Sequence, residues 1–390
     1  MPDINASAAI RRVLELIAIS GASGSETQVS ACIRKALTSA GLSESAITVD
    51  TANRRSPIGG ATGNLIVRLK GTKRAPRRLL MAHMDTVPLA VGSEPVREGN
   101  WIRPGSSDTA LGGDNRAGCA VILTAMLEIL KQKIDHPPLT LLFTVQEEVG
   151  LCGARHVTAG KLAKPQLCFN WDGQDPASLV IGAVGATNVT VKIDGIASHA
   201  GVHPDEGVNS AIVASLALSD LHQNGWHGLV AKGKRRGTCN VGAVHGGSAT
   251  NVVMPEVVLE AEARSHSSGF RDRIVREIHR AFERATRRVR NTRGQTGRLT
   301  IRDDSRYNAF RISPKADSVR TAARAVKAAG LMPQTVVSNG GLDANWMTAH
   351  GFPTVTLGCG QHQIHTVNER LNISEYLSAC SIALSIAVAE

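Results

Sequence analysis

A histidine and an aspartate stand two residues apart, directly after an apolar run in the first quarter of the chain. The run covers residues 79–82, and His83 and Asp85 follow it. Side chains two residues apart on an extended strand share one face. His83 can therefore hold a cation while Asp85 orients its imidazole, a support that metal-bound histidines commonly need. The pair predicts part of a metal site, whose other ligands must come from elsewhere in the chain.

Further acids and one more histidine stand where predicted strands end or a helix begins. They are Asp114 before a buried helix, Glu147 and Glu148 after the run 139–145, Asp172 after the run 166–171, and His365 in a later loop. Taken singly, each has a structural explanation as a helix cap, a solvated strand end, a turn residue or a hydrogen-bonded histidine. Their joint occurrence favours a site for two ions such as Zn²⁺, because histidine nitrogen and carboxylate oxygen are suitable ligands.

The predicted ligands divide the chemistry between them. Asp114 is best placed to bridge two ions. Of the two adjacent acids, one can bind metal while the other takes a proton from water. Such a pair of ions lowers the pKa of bound water and polarises a carbonyl group. The pattern therefore predicts hydrolytic chemistry.

Alternating strands and helices must position these residues. Hydrophobic periodicity predicts helices over residues 8–19, 26–40, 115–131, 315–329 and 342–350, and strands over 64–69, 77–82, 139–145, 166–171, 335–338 and 353–358. Sites of open α/β sheets form where strands end, and the candidate ligands stand at such ends. We therefore expect an α/β catalytic domain with a mixed sheet flanked by helices.

The pattern changes between residues 185 and 308. Apolar Val189, Val191 and Ile193 alternate with polar residues, which predicts a half-exposed strand. A helix, two strands, a helix and a strand follow, in the order βαββαβ of a ferredoxin-like unit. We expect this lid or dimerisation domain (185–308) to be inserted into a discontinuous catalytic domain (1–184 and 309–390).

Bulk composition limits the class of protein. The length of 390 residues predicts two domains, and scarce aromatics, 3% of the chain, argue against stacking surfaces for sugars or single-stranded nucleic acid. No apolar run reaches the roughly 18 residues of a membrane span, and residues 1–5 do not begin a secretory signal. Seven cysteines without a C-x-x-C pair fit reduced thiols. We expect a cytoplasmic protein with no membrane partner.

A net charge of +11 raises nucleic acid as a partner. The basic residues cluster at 232–236 and 287–298, where solvated basic faces are the simpler interpretation. No zinc-finger spacing or RNA-binding aromatic motif occurs, so we expect no nucleic-acid partner. A basic nucleic-acid-binding protein with a relic metal site is the alternative from another class. A Rossmann-type dehydrogenase lacks its Gly-x-Gly-x-x-Gly fingerprint after the first strand.

The motifs together resemble the M20 family of co-catalytic zinc peptidases, and within it the peptidase T-like branch. The matching pieces are AHMDTVP (82–88), GDNRAG (113–118), EEVG (147–150), NWDG (170–173) and HTVNE (365–369). They follow the order of the family through nearly the whole chain. The resemblance implies a zinc-exopeptidase-like fold, a homodimer, and two divalent metal ions, Zn²⁺ first, with Co²⁺ or Mn²⁺ as alternatives.

The resemblance also implies roles for single residues. The implied metal ligands are His83, Asp114, Glu148, Asp172 and His365, with Asp114 bridging. Asp85 corresponds to the carboxylate that orients His83, and Glu147 to the general base. In relatives the peptide bond after the bridging aspartate is cis, here Asp114–Asn115.

The inserted domain carries its own matches. The segment SHAGVHP (198–204) resembles the one in which the family's lid presents a histidine to the substrate carbonyl, often across a dimer interface. His199 would then stabilise the oxyanion, with His203 a weaker candidate. Asn240, Asn251 and Arg264 resemble residues that grip the substrate. Arg264 shares a strand face with Glu260 and Glu262, so a structural salt bridge is an alternative to a fork for a substrate carboxylate.

The segment NGGLDAN (339–345) departs from the family pattern. Many relatives have an arginine before the paired glycines, and such an arginine would bind a charged peptide terminus. Asn339 stands there, beside Gly341, as a candidate substrate-binding residue without that charge. We therefore predict hydrolysis of short peptides in the manner of a di- or tripeptide aminopeptidase. N-acyl amino acids remain open as substrates, through a deacylase or carboxypeptidase-like amidohydrolase.

Overall fold

The computed structural model describes residues 3–389 of the chain. Its helices are α1 (Ala6–Ile17), α2 (Thr27–Ser39), α3 (Gly113–Gln132), α4 (Cys152–Arg155), α5 (Ser210–Gln223), α6 (Ser268–Arg288), α7 (Asp317–Ala328), α8 (Asp343–Ala349) and α9 (Ile373–Val388). Its strands are β1 (Ile47–Val49), β2 (Leu65–Leu69), β3 (Arg78–His83), β4 (Pro95–Glu98), β5 (Trp101–Pro104), β6 (Leu139–Thr144), β7 (Leu167–Trp171), β8 (Ser178–Ala183), β9 (Gly185–Asp194), β10 (Gly228–Lys232), β11 (Arg235–Gly246), β12 (Glu256–Ser265), β13 (Arg298–Tyr307), β14 (Phe310–Arg311), β15 (Gln334–Ser338), β16 (Thr354–Leu357), β17 (Gln361–His362) and β18 (Arg370–Asn372).

The chain divides into two compact units. The first, unit 1, comprises the chain up to Gly182, Arg311–Ser338 and the chain from Leu342 onward. The second, unit 2, comprises Ala183–Phe310 and Asn339–Gly341. Each predicted strand and helix of the α/β pattern is present to within a few residues, so the predicted fold class is confirmed.

The main sheet of unit 1 is mixed. Its strand order is β1-β2-β6-β3-β7-β16-β8-β14, with β15 paired to β8. The central strands β6, β3, β7 and β16 run parallel, whereas β2 and β8 join antiparallel. Every residue of β3 and β6 is buried, which explains why apolar residues dominate both strands, because central parallel strands are covered on both faces.

The parallel strands β3, β6 and β7 end at the same edge of this sheet. His83 is the last residue of β3, the Glu147–Glu148 pair follows β6, and Asp172 follows β7. Helix α3 begins nearby at Gly113, and the peptide bond Asp114–Asn115 is cis, as the resemblance implied. The edge thus gathers the side chains that the motifs selected.

Several parts of unit 1 have no counterpart in the sequence predictions, and the largest are a smaller sheet and the last helix. A smaller sheet has the order β17-β18-β5-β4, and α9 packs against α3 and α7. The strands of this sheet have two to four residues each, too short for an alternating pattern to be recognised. Helix α9 is strongly apolar, and its polar face consists mainly of the serines Ser374, Ser378, Ser381 and Ser385, so its amphipathic contrast is weak.

Unit 2 is an antiparallel sheet covered by two helices. Its strand order is β10-β11-β12-β9-β13, and α5 and α6 contribute to its core. Val189, Val191 and Ile193 are buried in that core, as their alternation predicted. The structure adds β10 to the expected βαββαβ order. This strand is short and mostly exposed, and its hairpin with β11 contains the basic cluster at 232–236.

Two bulk expectations can be compared with the structure. All seven cysteines are free thiols, and six of them are buried. Among the helices of residues 3–389, none is long and apolar enough to cross a membrane.

Candidate metal centre

His83 is enclosed at the end of β3 with its two ring nitrogens facing different groups. The side chain is 2% exposed, and Nδ1 lies 3.1 Å from the carbonyl oxygen and 3.4 Å from Oδ1 of Asp85. Asp85 lies beyond the end of β3, so the contact depends on the turn after the strand rather than on a shared strand face. With Nδ1 occupied by these acceptors, Nε2 is directed toward the other carboxylates.

Asp114 stands between two histidines. Its Oδ1 lies 3.2 Å from Nε2 of His83, and its Oδ2 lies 3.1 Å from Nε2 of His365. Asp172 approaches His83 from the other side, at 3.8 Å, and Glu148 Oε1 lies 3.0 Å from His365 Nε2. The two carboxylate oxygens of Asp114 therefore face two separate histidine nitrogens, each accompanied by another acid.

The backbone around Asp114 is held from both sides. Glu369 accepts hydrogen bonds from the amides of Gly112, at 2.9 Å, and Asp114, at 3.0 Å. The Nε2 atom of Gln361 donates to the carbonyl oxygen of Gly113 and to Oδ1 of Asn115. These contacts fix the start of α3, where Asp114 and Asn115 depart from helical dihedral angles.

The segment that carries Glu147 and Glu148 has no regular structure of its own. The amide of Glu147 donates to Asp85 Oδ1 at 3.0 Å, and the amide of Glu148 donates to Asp85 Oδ2 at 3.2 Å. Ser23 Oγ donates to the same carboxylate at 2.6 Å. Asp85 thus joins the turn bearing the paired acids to the ring of His83.

Charge is strongly coupled across this cluster. Burial lowers the pKa of His83, but hydrogen bonds to Asp114 and Asp85 outweigh it and hold that pKa well above its ordinary value. Hydrogen bonds to Asp114 and Glu148 raise the pKa of His365 to about 10. Burial opposes charge on Asp114, yet the two histidines hold its pKa below the usual range.

The remaining acids show the opposite shift. Burial raises the pKa of Glu147 and of Asp172 well above their ordinary values, and it also raises the pKa of Glu148. Neighbouring carboxylates raise these pKa values further. Asp172 acts on Glu147, and Asp114 acts on both Asp172 and Glu148. Buried acids in such close contact must either bind protons or be balanced by positive charge.

The residues present fit metal ions as that positive charge. Three overlapping groups of side chains have ligand atoms within 4.8 Å of one another. The groups are His83 with Asp114 and Asp172, His83 with Glu147 and Glu148, and Asp114 with Glu148 and His365. Asp114 belongs to two of these sets, and imidazole nitrogen with carboxylate oxygen is a donor set that suits zinc.

The lid residues selected from the sequence all lie in unit 2. His199 is exposed, its Nδ1 accepts a hydrogen bond from the amide of Gly201, and the amide of Ala200 donates to the carbonyl oxygen of Asn251. The candidate His203 follows on the same loop and is also exposed. The structure therefore brings the His199 and Asn251 segments together.

Asn240 and Arg264 lie on the neighbouring strands β11 and β12. Both arms of the Arg264 guanidinium contact Glu262, at 2.5 Å from Nε to Oε1 and at 2.9 Å from Nη2 to Oε2. The salt bridge that the sequence left as an alternative is therefore formed. It raises the pKa of Arg264 above its ordinary value, because the ionised carboxylate accepts both hydrogen bonds.

Asn339 and Gly341 belong to the short segment that unit 2 takes from the later chain. Asn339 Oδ1 lies 3.0 Å from Nε2 of His266. Gly341 lies against Tyr307 so closely that a Cβ atom would overlap its ring. Asn339 thus stands beside an ionisable histidine that the sequence interpretation did not connect with it.

Three polar residues near the metal centre were missed by the sequence interpretation. Glu369 and Gln361 hold the Asp114 backbone, and the buried acid Asp343 accepts a hydrogen bond from Thr144. Burial raises the pKa of Glu369 to about 7 and that of Asp343 to about 6. Glu369 ends the motif 365–369 and Asp343 lies within the segment 339–345, so the sequence offered a signal for both, whereas Gln361 lies in no motif.

Comparison with known proteins gives this arrangement its class. Residues 79–389 match peptidase family M20/M25/M40. The structure superposes on a tripeptidase of Staphylococcus aureus with a TM-score of 0.88 and 31% sequence identity. It superposes on the aminopeptidase PepT of Bacillus cereus with a TM-score of 0.84 and 28% sequence identity. Both superpositions cover 98% of each chain. In sequence, 384 residues are 29% identical to the uncharacterized protein YqjE of Bacillus subtilis, covering 98% of each chain.

The fold, the cluster of acids and histidines, and these matches define a hydrolase that acts on amide bonds. More particularly, the chain belongs to peptidase family M20/M25/M40, and it is similar to the peptidase T branch. The family resemblance read from the motifs is therefore confirmed.

Proposed function

We propose that this chain is a dinuclear zinc peptidase that removes residues from the amino end of short peptides. The observation that carries the proposal is the position of Asp114, whose two carboxylate oxygens lie 3.2 and 3.1 Å from Nε2 of His83 and His365. A bridging carboxylate between two ions requires this arrangement.

Five residues would hold the two ions. His83 and Asp172 accompany one oxygen of Asp114, while His365 and Glu148 accompany the other. Zinc is the first choice because of the mixed nitrogen and oxygen donors, and Co²⁺ or Mn²⁺ are alternatives. Bound there, two divalent ions would polarise the scissile carbonyl and lower the pKa of a water molecule.

Glu147 is the proposed general base. It is grouped with His83 and Glu148, and burial raises the pKa of its carboxyl group, which suits a group that must take up and release a proton. Glu147 would accept a proton from the attacking water and deliver it to the leaving nitrogen. Asp85 would keep the Nδ1 proton on His83, so that Nε2 stays free to bind metal.

Residues of unit 2 would complete the reaction. We assign the exposed His199 to the carbonyl oxygen as it becomes negative, and Asn240, Asn251, Arg264, Asn339 and Gly341 to substrate binding. A homodimer and a cytoplasmic location form part of the same proposal. The names of the similar proteins, a tripeptidase and an aminopeptidase, support short peptides as substrates.

One observation keeps a second substrate class open. Nε and Nη2 of Arg264 are paired with Glu262 and Asn339 is neutral, so neither residue identifies a charged substrate end that would separate a tripeptide from an N-acyl amino acid. N-acyl amino acids, cleaved by the same groups in the manner of a deacylase or carboxypeptidase-like enzyme, are therefore the second candidate.

A substrate panel tests both candidates. Purified protein loaded with Zn²⁺, Co²⁺ or Mn²⁺ is assayed on dipeptides, tripeptides and N-acyl amino acids, and on tripeptides blocked at either end. We expect cleavage of tripeptides with a free amino group. Cleavage of N-acyl amino acids alone would establish the second candidate, and cleavage of neither class would refute both.

Two variants separate the proposed roles. Glu147→Gln should keep both metal ions and lose kcat by about 10²- to 10⁴-fold, the usual contribution of a general base. His83→Ala should lower the zinc content measured by elemental analysis. If Glu147→Gln retains substantial turnover, the assignment of the base is wrong.

A further inference from the structure

Three successive backbone amides of the segment that bears the paired acids end on two buried carboxylates. The amide of Gln146 donates to Glu26 Oε1 at 3.0 Å, and the amides of Glu147 and Glu148 donate to the two oxygens of Asp85. Glu26 and Asp85 are both 0% exposed. The backbone on which Glu147 stands is therefore fixed by acceptors outside its own segment.

Glu26 reaches this segment from a distant part of the chain. It stands at the N-cap position of α2, but its side chain makes no capping hydrogen bond to that helix. Instead, its Oε1 accepts hydrogen bonds from the amides of Gly24, at 2.8 Å, and Gln146, at 3.0 Å. The side chain thus joins the loop before α2 to the residue before Glu147.

The backbone conformation of Gln146 depends on contacts such as the hydrogen bond to Glu26. Its φ is +56°, a left-handed conformation that non-glycine residues adopt only where the surroundings fix it. Its carbonyl oxygen accepts from the amide of Cys152, and its Nε2 donates to the carbonyl oxygen of Gly59 at 2.5 Å. Without the Glu26 acceptor, the buried amide of Gln146 would lose its partner, and the turn that sets the direction of Glu147 could relax.

From these contacts we propose that Glu26 is a positioning residue, which holds Glu147 in the orientation required for proton transfer. The proposal rests on the proposed function, in which Glu147 is the general base. Glu26 acts through the backbone and touches neither substrate nor metal. What it must supply is an oxygen acceptor at the position of Oε1, rather than a negative charge.

This requirement makes Glu26→Gln the informative conservative variant. Its carbonyl oxygen can occupy the Oε1 position, and its amide nitrogen would then occupy the Oε2 position. Oε2 is buried and has no hydrogen-bond partner among residues 3–389, so that position does not need an acceptor. Glu26→Ala removes the acceptor entirely, and Glu26→Asp keeps the charge but shortens the reach.

Glu128 supplies a matched control in the same unit. It is a buried acid that accepts a hydrogen bond from a distant backbone amide, that of Asn5, at 3.1 Å. It lies in the last turns of α3, away from the strand ends that carry the acids. Glu128→Ala therefore removes a similar contact without affecting the Glu147 segment.

The test compares the zinc-loaded full chain and these variants on the best tripeptide of the panel, measuring kcat, KM, zinc content and melting temperature. We expect Glu26→Ala to lower kcat by about 10- to 100-fold, the usual effect of a small misplacement, with KM and zinc content little changed. Glu26→Asp should be intermediate, and Glu26→Gln should restore kcat to within about threefold of the original chain. Glu128→Ala should lower the melting temperature but leave kcat unchanged.

Several results would overturn the positioning role while leaving the proposed function intact. They are an unchanged kcat in Glu26→Ala, a loss of zinc that accounts for its lower activity, or a Glu26→Gln variant as impaired as Glu26→Ala. If Glu26→Ala does not fold, Glu26→Asp against Glu26→Gln decides, because Asp keeps the charge but moves the acceptor, whereas Gln keeps the acceptor position and loses the charge. Failure of the original chain on the whole panel would instead refute the proposed function.

Discussion

Replacement of Asp85 by alanine should destabilise the chain strongly, for a reason that the hydrogen bonds make explicit. The carboxylate is 0% exposed and accepts the amides of Glu147 and Glu148 together with the hydroxyl of Ser23. A buried donor left without an acceptor costs about 1–3 kcal/mol. The two amides alone therefore predict a loss of about 2–6 kcal/mol, a large part of the ~5–15 kcal/mol that stabilises a typical domain.

Asp85→Asn should have an intermediate effect. The amide side chain keeps one oxygen acceptor, but its nitrogen would face a donor where the second carboxylate oxygen accepts now. One buried amide is then left unpaired, which predicts a loss of about 1–3 kcal/mol. The alanine and asparagine variants together measure how much of the effect depends on each hydrogen bond.

The assay is urea unfolding of the chelator-treated chain, followed by circular dichroism. Asp175 supplies the control, because it accepts an amide of Ala177 and a hydroxyl of Ser178 at an exposed turn. Water can replace Asp175 there, so Asp175→Ala should cost less than about 1 kcal/mol. If Asp85→Ala costs no more than Asp175→Ala, the reasoning from buried hydrogen bonds is refuted.

Two further predictions concern stability. Burial raises the pKa of Glu26 from 4.5 to about 7. Between these pH values, the folded chain binds the Glu26 proton more tightly than the unfolded chain does. The contribution of Glu26 to stability therefore falls as pH rises through this range. Glu26→Gln has no such titrating group. In metal-free urea titrations, its free energy of unfolding should therefore rise relative to that of the original chain by up to about 3 kcal/mol between about pH 5 and pH 8. A difference in stability that stays the same across this range would contradict the raised pKa of Glu26. Gly341→Ala should cost about 1–3 kcal/mol in thermal or urea unfolding, because the added Cβ overlaps the Tyr307 ring. Gly160→Ala, with open space around it, should change stability by less than about 0.5 kcal/mol, and equal effects at both glycines would show that the overlap is relieved without cost.

The sequence predicted the elements whose pattern is local. Apolar residues dominate β3 and β6 because both faces of these strands are buried, and Val189, Val191 and Ile193 alternate with polar residues in β9 because one face is buried. Strand β10 and helix α9 were not predicted, because β10 is mostly exposed and the polar face of α9 consists mainly of serines, which contrast weakly with its apolar face. Their formation depends on partners distant in the chain.

For the candidate metal centre, the sequence predicted the clustered residues but not the contacts that support them. Motifs identified the residues that cluster around Asp114, because they place charged residues where strands end, where α3 begins and in the loop of His365. The supporting contacts of Glu26 and Gln361 were not predictable, because they join segments more than a hundred residues apart. Asp85 was assigned to the ring of His83, and its hydrogen bonds to the Glu147 and Glu148 amides became visible only in three dimensions.

The position of β16 has a consequence for biosynthesis. This strand lies between β7 and β8 in the main sheet, although the long segment of unit 2 separates it from both in the chain. As the chain leaves the ribosome, β7 and β8 have no common neighbour until residues 354–357 emerge, whereas Ala183–Phe310 already contains the core of unit 2. His365 follows β16, so the last proposed metal ligand emerges only near the end of synthesis. The proposed set of five ligands is therefore complete only after the segment of unit 2 and β16 have been synthesised.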